Sequence, residues 1–113
     1  MALYSRAVAG FHVNSVERHG PDDPDRAGRL KLAQAALAGH ELIIFDSPPI
    51  HDFTFTPAIS LFVDFDNQAE LAAAFDGLSD GGTVMMPLDA YGFSARYGWV
   101  SDRYGVSWQL NLP

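Results

Sequence analysis

Twice in this chain a turn glycine runs into a short apolar strand, Gly39 ahead of ELIIF and Gly105 ahead of VSWQL. The elements before each also fall in one order. The second half reads strand, helix, strand, strand, strand. The first half reads helix, strand, strand, strand, with no opening strand. Such a repeat predicts an internal duplication of about 55 residues per copy, the first copy cut short.

In the first half, ALYSRAV (2–8) reads as a helix of about two turns with no cap, and FHVNSVERH as a strand of mixed pattern. GPDDPDRAG (20–28) is loop chemistry. Leu30 and Leu32 alternating with Lys31 predict a strand to Ala38, and a Gly39-His40 turn returns ELIIFD as its partner. SPPIHDFTFTP (47–57) holds three prolines and predicts a crossing between the halves. In the second half, AISLFVDF (58–65) is rich in branched and aromatic residues and predicts a strand. Asp66 is the expected N-cap of a helix whose apolar stripe is Ala69, Leu71, Ala72, Phe75 and Leu78, stopped by Gly81-Gly82. TVMMPL follows as a strand, with its end expected at Pro87 and the loop DAYG.

The segment RYGWVSDRYGVSWQLN (96–111) carries Arg-Tyr-Gly twice, each followed by a tryptophan. A four-residue loop, Asp102–Gly105, sets Ser101 opposite Val106, Trp99 opposite Trp108 and Tyr97 opposite Leu110. Tyr97, Trp99, Val106, Trp108 and Leu110 then share an apolar face, and Arg96, Gly98, Ser107, Gln109 and Asn111 a polar one. The repeated triplet is therefore one hairpin, not a duplicated catalytic motif.

Composition excludes several classes. The 113 residues include no cysteine, which removes disulfides, thiolate nucleophiles and Cys-ligated zinc. The net charge is −7 and the seven bases are scattered, so a nucleic-acid ligand is not expected. No apolar run approaches the roughly 20 residues of a membrane span, and no secretory signal is visible. His12, His19, His40 and His51 show no helical spacing and read as surface residues, although Asp52 could orient the ring of His51. Asp64, Asp66 and Glu70 read as a helix entry with a solvated face. No phosphate-binding glycine loop and no Gly-x-Ser-x-Gly is present.

LAGHELIIFD, DSPPIHDFTFTPAISLFVDFD and LSDGGTVMMPLDAYGFSARYGWVSDRYGVSWQLNLP strongly resemble the PhnB-like group of the vicinal oxygen chelate superfamily, most specifically over residues 46–113. That superfamily also holds glyoxalase I, bleomycin-resistance proteins and extradiol dioxygenases. The group's usual label, 3-demethylubiquinone-9 3-methyltransferase, names a chemistry that is not expected here, because a cofactor fold of that kind needs a glycine-rich loop after its first strand. The resemblance implies an α+β fold of paired βαβββ modules whose curved mixed sheets enclose a pocket. On this basis residues 1–46 form a first module lacking its opening strand, 47–57 a crossing loop and 58–113 a second module.

Superfamily enzymes hold a divalent metal through His, Glu or Gln, one from each of four strands. The matching positions here are Gln109, the poor ligands Ala58, Ile59 and Ser60, a position near Leu32, and the absent strand. A divalent ion wants several charged or imidazole donors, so no metal and no other cofactor is expected. Arg96, Ser107, Gln109 and Asn111 are the candidate ligand-binding residues of the cleft, Arg96 able to clamp an anionic or carbonyl-bearing molecule. The expectation is a cytoplasmic homodimer binding a small molecule, and whether it catalyses a reaction is open. Two alternatives stand beside it. One is a metal-dependent lyase or dioxygenase completed by a partner chain or by a strand ahead of Met1; the other is a structural dimerisation module.

Overall fold

A computed structural model describes residues 2–22, 25–45, 52–92 and 94–113. The chain divides into two compact units, one spanning Gly10–Asp52 and the other combining Ala2–Ala9 with Phe53–Pro113. Both are sheet-based, and the architecture is α+β.

The first unit is an antiparallel meander of β1 (Phe11–Arg18), β2 (Leu30–Leu37) and β3 (His40–Phe45), in the order β1-β2-β3. Ala33, Ala35 and Leu37 of β2 are buried and alternate with the more exposed Leu32, Gln34 and Ala36. The β2–β3 turn is Ala38-Gly39, one residue earlier than the sequence suggests, so that His40 pairs with Leu37. Both turn residues have positive φ, 50° and 84°, the combination a two-residue turn needs to follow the strands' twist. Gly39 adopts it freely; Ala38 does so against its Cβ.

The second unit holds α1 (Ala2–Ala7), β4 (Ser60–Asp64), α2 (Gln68–Ser79), β5 (Thr83–Tyr91), β6 (Ser94–Ser101) and β7 (Ser107–Leu112). The sheet order is β4-β7-β6-β5, antiparallel except for the parallel β4–β7 pair. Sequence order places the first helix with residues 1–46. In the structure α1 falls in the second unit, where Ala7 meets α2 at Gly77. The N-cap of α2 is Asn67, not Asp66: the Asn67 side chain accepts from the Glu70 amide at 2.8 Å. The buried stripe of α2 is Leu71, Ala74 and Leu78, and Ala69 is exposed. Phe75 covers Gly98, where a Cβ would stand 2.7 Å from the ring. This fixes which face of the sheet the helix covers. Strand β5 continues through Pro87 to Tyr91, because it is an edge strand whose pairing with β6 is irregular around Met86 and Asp89, the setting in which a strand accommodates proline.

The β6–β7 hairpin corrects the expected pairing. Asp102 N–H donates to the Val106 carbonyl at 2.9 Å, and Gly105 N–H to the Asp102 carbonyl at 2.9 Å. Gly105 has φ 88°, completing a three-residue loop of Arg103, Tyr104 and Gly105. Ser101 therefore pairs with Ser107, Trp99 with Gln109 and Val100 with Trp108. A one-residue slip turns a strand over. Trp99 and Trp108 accordingly lie on opposite faces, and Arg96, opposite Leu112, leaves the face of Ser107, Gln109 and Asn111.

Asp102, 4 % exposed, organises this loop. One carboxylate oxygen accepts from the amides of Tyr104 at 2.9 Å and Val106 at 3.1 Å, the other from Trp108 Nε1 at 3.0 Å. Tyr4 of α1 hydrogen-bonds the same carboxylate and packs its ring against fully buried Trp108 with centroids 5.1 Å apart. Burial, this bond and the charge of Asp102 push the Tyr4 phenol well above its ordinary range.

Two outcomes follow. Replacing Ala38 by Asn, which tolerates the left-handed region, raises stability by about 0.5–1 kcal/mol, seen as a higher urea midpoint at unchanged slope. The raised Tyr4 phenol stabilises the fold in full below the ordinary tyrosine value of 10.0, and this contribution is lost as pH climbs beyond it. Tyr4→Phe cannot ionise, so its urea midpoint falls less steeply between neutral and alkaline pH than that of the parent. Parallel curves contradict the assignment.

Candidate functional site

The face of the second sheet turned away from α2 presents three cross-strand rows. The first is Ser60, Ser107, Ser101 and Thr83; the second is Phe62, Gln109, Trp99 and Met86; the third is Asp64, Asn111, Tyr97 and Asp89. Directly paired residues share a face, so the strand register alone assembles this surface. Leu61, Val63, Val100, Trp108 and Leu110 take the opposite parity, toward the helix.

Side chains lean diagonally from row to row. The Tyr97 hydroxyl donates to Gln109 Oε1 at 2.7 Å, and Trp99 Nε1 donates to Ser107 Oγ at 2.8 Å. Ser107 and Ser60 share a 2.7 Å hydrogen bond. Asn111 donates to Asp64 at 2.8 Å, and its amide oxygen accepts from Ser94. Tyr97 also meets the rings of Phe62 and Tyr91, at 6.4 and 5.6 Å between centroids. Burial, with Tyr91 nearby, raises the Tyr97 phenol above its usual range, so it stays a protonated donor to Gln109. Phe62 is 55 % exposed beside Tyr97 at 4 %, which leaves an aromatic surface open above an ordered base.

Ser107, Gln109 and Asn111 are thus brought together. Arg96 is not with them; its Nε is buried without a hydrogen-bond partner among the described residues. The basic residues of the second unit are Arg6, Arg96 and Arg103, and none lies on this face. Its charged members are Asp64 and Asp89.

Sequence reasoning missed Ser60, Phe62, Asp64, Tyr97 and Trp99 as members of this face. The alternation Ser60, Phe62, Asp64 against Leu61, Val63, Phe65 was a usable signal for the first three. His51 lies outside the described residues; His12 and His40 are exposed. A divalent metal of the kind the superfamily uses does not fit the donors of these three rows. Gln109 already accepts from Tyr97, its β4 neighbours are Ser60, Phe62 and Asp64, and no imidazole stands in the three rows. Among the described residues no three His, Asp or Glu side chains form a metal-binding group, and no helix is long and apolar enough to cross a membrane.

Comparison with known proteins bears on this site. The sequence model of a family described as 3-demethylubiquinone-9 3-methyltransferase matches residues 1–111. A PhnB protein from Bacillus cereus carrying the same description is 38 % identical, with a TM-score of 0.89 over 100 % of this chain and 88 % of that one. Protein PA1353 from Pseudomonas aeruginosa is 25 % identical, with a TM-score of 0.80 over 98 % of this chain and 84 % of its own. Protein YjdN from Escherichia coli strain K12 is 26 % identical over 93 residues, 82 % of this chain but only 61 % of YjdN. TioX from Micromonospora sp. ML1, 13 % identical with a TM-score of 0.61, shares the fold. The chain belongs to the 3-demethylubiquinone-9 3-methyltransferase family, in the PhnB-like group of the vicinal oxygen chelate superfamily.

Proposed function

We propose that the protein binds a small, flat organic molecule, without a metal, on the three-row face of its second sheet. The observation that carries this reading is the composition of that face. Exposed Phe62 and partly exposed Trp99 offer ring surface, and between them stands the half-buried amide of Gln109, its orientation fixed by the Tyr97 hydroxyl. With no basic side chain and two carboxylates in the third row, the face favours a neutral or cationic ligand over an anion. The anion clamp expected of Arg96 is withdrawn with the register. Methyl transfer is not part of the reading. A doubly wound cofactor site wants a parallel sheet with a glycine-rich loop after its first strand, and the sheets here are antiparallel apart from β4–β7.

The reading includes a homodimer. Its support is in the first unit, where Ile43 and Phe45 of β3 are 64 % and 60 % exposed and share a face with Leu32. Contiguous apolar surface of this kind marks interaction sites.

Ligand-binding and mass measurements test these statements. A neutral naphthoquinone and an aromatic amine raise the thermal midpoint and quench Trp99 fluorescence, whereas an aromatic carboxylate of the same size does neither. Phe62→Ala, at an exposed position, weakens binding about tenfold, the loss of one aromatic contact. Equal response to all three probes, or an unchanged Phe62→Ala, contradicts the site. Light scattering gives a dimer mass for the parent and a monomer mass for Ile43→Lys; a monomeric parent ends the dimer proposal.

A further inference from the structure

The two helices of the second unit enclose an open groove of about 230 Å³, lined by Leu3, Arg6, Ala7, Ala73, Gly77, Asp80 and Arg103. Its floor is small and apolar, because Ala7 and Gly77 bring α1 and α2 into close approach. Its rim is cationic. Of the second unit's basic residues, Arg6 and Arg103 both stand here, although the chain carries −7 overall. Asp80 offsets one of them through a single 3.5 Å contact with Arg103 Nη2. Arg6 spends Nε on the Ala2 carbonyl at 3.4 Å, and among the described residues its terminal nitrogens have no hydrogen bond or ion pair.

We infer that this groove binds a small amphiphilic anion, a carboxylate on a short apolar tail, with the headgroup between Arg6 and Arg103 and the tail against Leu3, Ala7 and Ala73. Guanidinium groups match carboxylate geometry with paired donors, and the apolar floor takes a tail that bulk water disfavours. The volume falls below the roughly 300 Å³ at which drug-sized sites begin, so the ligand is a fragment of a few carbons and not a cofactor. The groove shares no residue with the three-row sheet face and has the opposite charge preference. The two sites therefore succeed or fail separately.

The test is an amide-resolved NMR titration of the full chain with hexanoate and, separately, hexanol. Hexanoate shifts the amides of Ala73 and Gly77 saturably while hexanol leaves them unsaturated at equal concentration. Arg6→Gln combined with Arg103→Gln weakens hexanoate about tenfold or more, as loss of charged hydrogen bonds requires. Ala73→Leu, at an exposed helix position, fills the groove and abolishes the shifts. Hexanol acting as well as hexanoate on the unmodified protein overturns the inference, whatever the variants do. So does undiminished hexanoate binding by the folded double variant or by Ala73→Leu.

Discussion

The Asp102 carboxylate holds the second sheet in register. It gathers two loop amides and the Trp108 indole while its own backbone pairs with Val106. That closes the hairpin over an odd number of residues. From there parity does the rest: Val100, Trp108 and Leu110 turn toward α2, and Trp99, Ser107 and Gln109 turn away. A loop shorter by one residue would have buried Gln109 and exposed Trp108. A buried carboxylate is costly unless each oxygen is satisfied, and here both are. Tyr4 ties α1 to the same group, so a helix early in the chain depends on a turn near its end.

Much of the fold was legible because hydrophobic period and turn chemistry agree along the chain. Leu71 and Leu78 mark one face of α2, the paired glycines after it mark its end, and the branched run at 60–64 marks β4. The repeated order of elements pointed to two sheet-based halves, and two sheets are found. What was not legible turns on single residues. Ala38 enters the left-handed region that its own side chain disfavours, so the β2–β3 turn sits one residue before the glycine-led guess. Pro87 reads as a stop only if its strand has neighbours on both sides.

The candidate site was half legible for the same reason. Ser107, Gln109 and Asn111 could be placed on one face because they alternate on one strand, which needs no knowledge of the partner. Arg96 was misplaced because its face depends on pairing across the loop, and the loop's length was set by side-chain hydrogen bonds that no propensity encodes. The correction reverses the site's electrostatic character. An arginine would have made this surface an anion receptor; without it, Asp64 and Asp89 stand with aromatic and amide neighbours.

Pro87 carries one more consequence. Strand β5 closes one margin of the second sheet, and its pairing with β6 shifts register near Met86 and again near Asp89. An imide there offers no hydrogen to a foreign backbone, and irregular pleating offers no straight template. The margin is thereby a poor seed for fibril growth, and a proline that interrupts the sequence pattern protects the folded molecule from polymerising through that side.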